Sequence, residues 1–140
     1  RAVYGQLPLG FEENRGQANA QVQFLSRHST GTIGLWATGL AWEFHRSSNV
    51  SLFQMKLVGG NAQARPIGTE PQAGKVNYLL GGQKHWRTDI ATFAEVRYCD
   101  VYPGINLRYY FQQSELEYDF EVAAGRDIRR IKLALLEAAS

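Results

Sequence analysis

The chain of 140 residues sets 15 Lys and Arg against 13 Asp and Glu, for a net charge of only +2. That length suits one domain with a core that needs no disulfide staples, and the even charge denies it the concentrated basic face that nucleic acid requires. The single cysteine cannot form an internal disulfide, and no apolar run approaches the roughly 18 residues of a membrane-spanning helix.

Fourteen glycines, seven Tyr, seven Phe and three Trp suit many short strands joined by glycine turns. Residues 1–20 read as an extended or irregular segment punctuated by Gly5, Pro8, Gly10 and Gly16. Its apolar residues Val3, Tyr4, Leu7, Leu9 and Phe11 are too many for a free tail. They are expected to lie against the chain's own domain or against a neighbour. The chain begins at Arg1 rather than Met, which reads as a piece of a longer protein.

Residues 21–140 read as the folded domain. Gln21 to Ser26 is a short strand with Val22 and Phe24 inward. Thr32 to Ala37 and Leu40 to Arg46 form a hairpin, and the alternation of Leu40, Trp42 and Phe44 places Trp42 in the core. Ser51 to Val58 is a strand with Phe53, Met55 and Leu57 inward. Gly59 to Gly74 is the longest loop, with room for a short edge strand near Arg65 to Ile67. Lys75 to Leu80 is a strand, Gly81-Gly82 a turn, and Phe93 to Tyr98 another strand.

The clearest pattern lies between residues 105 and 122. Ile105, Leu107 and Tyr109 alternate with polar neighbours, as do Leu116, Tyr118, Phe120 and Val122, and Pro103-Gly104 marks the turn before them. Arg129 to Leu135 reads as a last strand with Ile131, Leu133 and Leu135 inward, although Ala, Leu and Glu over residues 128–138 also suit a short helix. About nine or ten strands at this spacing give an all-β, single-domain antiparallel β-sandwich, jelly-roll-like.

Candidate chemistry is thin. Glu115, Glu117, Asp119 and Glu121 share one strand face. Paired carboxylates there suit acid–base glycoside hydrolysis by Glu117 and Asp119, or a calcium site. They equally suit a solvated face with a cross-strand partner such as Arg108, and this bland reading is preferred. His28, His45 and His85 are scattered without metal-ligand spacing, and Cys99 beside Asp100 is a small strand residue rather than a reactive thiol. The glycine pairs lack the Lys and Ser or Thr of a phosphate loop. Asn49-Val50-Ser51 matches the N-glycosylation triplet, which matters only in a host that uses it. Tyr110 falls on the polar parity beside Arg108 and is the best candidate for an exposed ring; Trp86 suits either environment. No cofactor is implied.

Several segments resemble a known family in order along the chain. Leu7-Pro8-Leu9-Gly10-Phe11-Glu12-Glu13-Asn14-Arg15-Gly16-Gln17 resembles the "FEANxGQ" opening of an N-terminal module in secreted bacterial proteins. Those proteins often continue into SBBP-type β-propeller repeats or end in surface-sorting and adhesion domains. Gln21 to Ser26, Gly74 to Gly81, Trp86-Arg87-Thr88, Val96 to Leu107 and Leu116 to Val122 are similar to further segments of that module, with Asn106 standing where the family often has Asp. The resemblance implies a secreted or cell-surface setting and no assigned activity.

The expectation is therefore a non-catalytic module acting in homotypic assembly or adhesion, its partners being copies of itself or other cell-surface proteins. Val3, Tyr4, Leu7, Leu9 and Phe11 are the candidate assembly residues, adding to a neighbour's sheet edge, with an extracellular filament as one outcome. The alternative is a carbohydrate-binding module taking polysaccharide on Trp86, Arg108, Tyr110, Glu117 and Asp119. The second alternative is an inert spacer of a larger surface protein.

Overall fold

The computed structural model describes residues 9–79 and 81–139. Ten strands succeed one another: β1 (Phe11–Glu13), β2 (Phe24–His28), β3 (Gly31–Trp36), β4 (Gly39–Arg46), β5 (Asn49–Leu57), β6 (Pro66–Tyr78), β7 (Arg87–Tyr102), β8 (Ile105–Gln112), β9 (Glu115–Val122) and β10 (Leu133–Ala139). Single 3-10 turns at Gln83–His85 and Ile128–Arg130 are the only helical pieces among the described residues. The all-β, antiparallel, single-domain expectation holds.

The strands form one curled sheet in the order β10-β5-β4-β3-β2-β1-β7-β8-β9, with β6 paired to β7. Its connectivity is not that of a jelly roll. Two runs of hairpins, β2 to β5 and β6 to β9, meet at β1, since each strand of a run returns beside its predecessor, mostly through two-residue turns such as Ser29-Thr30, Ser47-Ser48 and Gln113-Ser114. At the Pro103-Gly104 turn, Gly104 takes φ 72°, a left-handed conformation that glycine accepts without a Cβ penalty.

β7 is the backbone of the second run. Along one side it pairs with β6 from Arg87 to Tyr98. Along the other it pairs first with β1 at Thr92 and Phe93, then with β8 from Glu95 to Tyr102. Three bulges bend these long strands; Asp89 and Asp100, with positive φ, lie within two of them, and Glu70, also with positive φ, lies just before the third. The expected loop from Gly59 to Gly74 is therefore mostly strand. Its prolines and glycines read as loop, but Pro66 begins β6 and Pro71 borders a bulge, positions where a missing N–H costs no ladder bond.

The core lies inside the curl. Phe11, Ile33, Leu35, Leu40, Met55, Leu57, Val96, Tyr98, Ile105, Leu107 and Tyr109 are all buried in one cluster. Period-two alternation put Ile105, Leu107 and Tyr109 on that face, and each is at most 1 % exposed. Tyr102 ties the far end: its hydroxyl donates to the Val58 carbonyl at 2.8 Å and the Lys132 carbonyl at 3.2 Å, seating the chain just before β10.

The same parity fails where strands outrun the opposing layer. Trp42, expected in the core, is 36 % exposed, and Leu133 and Leu135, expected inward, are 36 % and 61 % exposed. All three stand on the core-facing rows, Trp42 across from Ile33 and Phe53, Leu133 from Leu57 and Leu135 from Met55. Nothing described lies over their ends of those rows.

Phe11 is wholly buried and stacks on Phe111 with ring centroids 4.9 Å apart. Truncation to Phe11→Ala is expected to cost about 3–5 kcal/mol of unfolding free energy, read from urea denaturation, since it opens a cavity where the two runs of hairpins join.

Candidate functional site

The carboxylate face singled out in the sequence sits on the outside of β6 to β9. Register places Tyr110 of β8 between Glu95 of β7 and Glu117 of β9, and Arg108 between Arg97 and Asp119. Arg97 and Arg108 are like charges directly opposed, a pairing that needs compensation. Three carboxylates supply it. Arg108 bonds Glu95 through Nε and Asp119 through Nη1 at 3.1 Å, and Arg97 meets Glu121 at 3.2 Å.

The neighbours complete the network. Thr69 Oγ1 donates to Glu95 at 2.6 Å, the Tyr110 hydroxyl donates to Asp119 at 2.9 Å, and the Arg108 guanidinium lies 4.2 Å above the Tyr110 ring. Burial would raise the Glu95 pKa, but the Thr69 hydroxyl and the Arg108 and Arg97 charges outweigh it and hold the carboxyl below its ordinary range. The Asp119 hydrogen bond, first among several causes, raises the Tyr110 phenol. These contacts engage most of the ladder's charged groups, while the buried Nε of Arg97 is left without a hydrogen-bond partner among the described residues. Asp119 is held as an acceptor, and one face of Tyr110 is covered by Arg108.

The candidate ligand residues therefore divide. Arg108, Tyr110, Glu117 and Asp119 are brought together. Trp86 is not with them: it precedes β7, nine residues before Glu95, or roughly 30 Å at about 3.3 Å per residue. Among the described residues no three His, Cys, Asp or Glu side chains are grouped to hold a metal ion.

The N-terminal candidates also divide. Val3, Tyr4 and Leu7 lie outside the described residues, and Leu9 is half-buried. Phe11, placed with them as an assembly residue, is consumed by the chain's own core and has no surface left for a neighbour.

Immediately after Phe11 the chain ties a hydrogen-bonded knot that sequence reasoning did not foresee. Asn14 Nδ2 donates to the carbonyls of Val22 at 2.7 Å, Asn19 at 2.9 Å and Ala18 at 3.3 Å, while Oδ1 accepts from the N–H groups of Gly16 at 3.0 Å and Ala18 at 3.2 Å. Gln17 donates to the Glu13 carbonyl at 2.8 Å and accepts from the Arg15 N–H at 2.6 Å. Gly16 has φ 111°, and Arg87 packs over it and donates to the Arg15 carbonyl at 2.9 Å.

Glu12 is 6 % exposed although charged. The Tyr78 hydroxyl donates to its Oε1, Gln17 Nε2 lies at 3.3 Å and Arg27 Nε at 3.6 Å. Burial, then the Glu12 hydrogen bond and charge, push the Tyr78 phenol up to about 12, against an opposing pull from Arg27. Glu12, Asn14, Gly16 and Gln17 thus meet Tyr78 and Arg87, so segments far apart in the chain that carry the family resemblance form one locus. Each does structural work there. The same holds for Asn106, whose Oδ1 accepts from the Asp100 N–H at 2.9 Å, a task that an amide and a carboxylate oxygen perform equally.

The third region is the set of open edges. No described strand pairs the outer edges of β6, β9 or β10. β6 is blunted by Pro66, Pro71 and its bulges, and β9 carries Glu115, Glu117, Asp119 and Glu121. β10 reads Leu-Ala-Leu-Leu-Glu-Ala-Ala, with Leu133, Leu135 and Leu136 36 %, 61 % and 52 % exposed on both faces. Beside it Trp42, Phe44, Arg46, Ser51, Phe53 and Glu137 line an open depression of about 620 Å³.

Residues 11–140 match the family described as a domain of unknown function (DUF7948). The chain belongs to this family. No curated protein and no solved structure matches it. Family membership adds no activity to the geometry, so a functional reading of this DUF7948 domain rests on its surfaces.

Two measurements test the structural role of the knot. Asn14→Ala is expected to lower unfolding free energy by about 1–3 kcal/mol, and Asn14→Asp by nearly as much, because the acid keeps the acceptor but loses both donated protons. Tyr78 gives a pH signature. Its folded pKa lies above the unfolded value of 10, so its contribution is whole below pH 10 and is lost as pH rises to about 12. Tyr78→Phe is expected to show a shallower alkaline loss of stability than the unaltered chain in denaturant titrations across that window.

Proposed function

We propose that the domain is a non-catalytic module that associates with copies of itself through open sheet edges. The observation that carries this reading is β10, an edge strand whose leucines are exposed on both faces and which bears one charge, Glu137. Edge strands of monomeric proteins are normally shielded by charge, proline or a covering element, since an unpaired row of N–H and C=O groups templates another strand. β6 and β9 carry such shields and β10 does not. Backbone pairing supplies affinity, and the leucines with the Trp42 depression supply apolar burial.

A glycan platform is less well supported, because Arg108 covers one face of Tyr110 and Trp86 stands at the other end of β7. The resemblance to N-terminal modules of secreted bacterial proteins with SBBP-type repeats or surface-sorting domains supports an extracellular or cell-surface setting, where self-association would build adhesive or filamentous structure.

Sedimentation velocity over a wide concentration range is the test. The mass is expected to rise above that of the 15.7 kDa monomer with concentration, and Leu136→Lys, which puts a gatekeeping charge on the exposed edge, is expected to return it to the monomer with unfolding free energy unchanged within about 0.5 kcal/mol. An unaltered chain that stays monomeric at every concentration overturns the reading.

A further inference from the structure

Resting on that reading, we propose that the partner surface of β10 is the β9 edge of a second copy, so that copies join head to tail and the contact does not close on itself. Both strands are terminal in the same curled sheet, β10 at one end of the strand order and β9 at the other. Both keep apolar residues on the concave, core-facing rows. On β10 these are Leu133 and Leu135, across from Leu57 and Met55 of β5. On β9 they are Phe120 and Tyr118, across from Leu107 and Tyr109 of β8, with Tyr118 41 % exposed. β1 and β8 pair along the same side of β7, and Phe93 across from Phe11 faces opposite to Val96 across from Tyr109, so the two apolar rows come to one side when β10 of one copy runs parallel to β9 of the next.

Charge selects this pairing over the alternatives. β9 bears four carboxylates and no cation. The stretch leading into β10 bears Arg126, Arg129, Arg130 and Lys132, against Asp127, which is already bonded to Arg129 at 3.0 Å. A parallel register that sets Leu133 beside Tyr118 and Leu135 beside Phe120 brings Lys132 beside Glu117 and the Arg129-Arg130 turn to the Glu115 end of β9. Two β9 edges would instead oppose carboxylate to carboxylate. Two β10 edges would bring no carboxylate ladder to the Arg and Lys residues that precede them. A contact between two different surfaces repeats in each added copy, giving an open filament where the rotation does not close and a ring where it does.

The test uses two full-length variants, Tyr118→Lys to block the β9 edge and Leu135→Lys to block the β10 edge, both at exposed positions, with circular dichroism to show that each folds. Head-to-tail pairing predicts that each variant alone is monomeric. It also predicts that mixing them yields a 1:1 heterodimer that grows no further, joined by the intact β10 of one and the intact β9 of the other. Dimers of Tyr118→Lys alone would show β10 pairing with β10 and overturn the proposal while leaving self-association standing. Variants that stay monomeric when mixed, beside an unaltered chain that assembles, overturn it as well. An unaltered chain that is monomeric throughout removes the assembly reading and this proposal together.

Discussion

The sheet is one sheet because a strand of three residues is in the right place. Without β1, the first run of hairpins (β2 to β5, with β10) and the second (β6 to β9) share no ladder. β1 supplies two registered pairs to β2 and two to β7, very little backbone for a join of that consequence. Side chains make up the difference. Phe11 enters the core on one face of the seam, and on the other Glu12 is held by Tyr78, Arg27 and Gln17, which bring β6 and β2 to it. The Asn14 amide then fixes the chain's exit from β1 so that β2 returns beside it. A buried carboxylate at such a point is costly unless fully engaged, so Glu12 stabilises the join only while its partners are in place.

That arrangement explains what could and could not be read from the sequence. Strands with one buried face announce themselves by alternation, and β8 is the clear case: Ile105, Leu107 and Tyr109 go inward without exception. β6 hid itself because bulges break the alternation and because proline and glycine, which signal loops, are also the residues that edge strands and bulges use. The β1 knot was illegible for another reason. Glu12 and Tyr78 are 66 residues apart, and nothing local says that they meet. Its one local sign was the run Asn14-Arg15-Gly16-Gln17, polar turn residues soon after a buried phenylalanine. Trp42, Leu133 and Leu135 failed differently. Parity gives the face of a strand, whereas burial also requires a second layer above that part of the face.

The two ends of the sheet show opposite treatments of charge. On the outer face of β6 to β9, Arg97 and Arg108 each have carboxylate neighbours, and the most buried member, Glu95, accepts from Thr69 and Arg108 at once. Such a network specifies register, since a slip of one residue would carry Arg108 to the other face of the sheet, away from Glu95 and Asp119. It ties Asp119, Glu121 and Glu95 to the two arginines, and leaves the buried Arg97 Nε without a partner among the described residues. Residues that look like an active site in the sequence, alternating carboxylates beside an arginine and a tyrosine, here bond one another across the strands.

At β10 no described residue meets the demand of the outer edge. Exposed leucines on both faces of a strand whose outer backbone edge no described strand pairs would be an aggregation hazard in a freely soluble monomer. The other edges show that this fold has the means to avoid it, since proline, bulges and carboxylates are all in use within the same sheet. A hazard left open at one edge only, with an acidic edge at the opposite end of the strand order, is what a directional contact between like copies requires. Two identical apolar edges would pair indiscriminately, and two charged edges would repel. In the proposed assembly, one of each would give every copy a donor side and an acceptor side, and growth would have a direction even though only one kind of chain takes part.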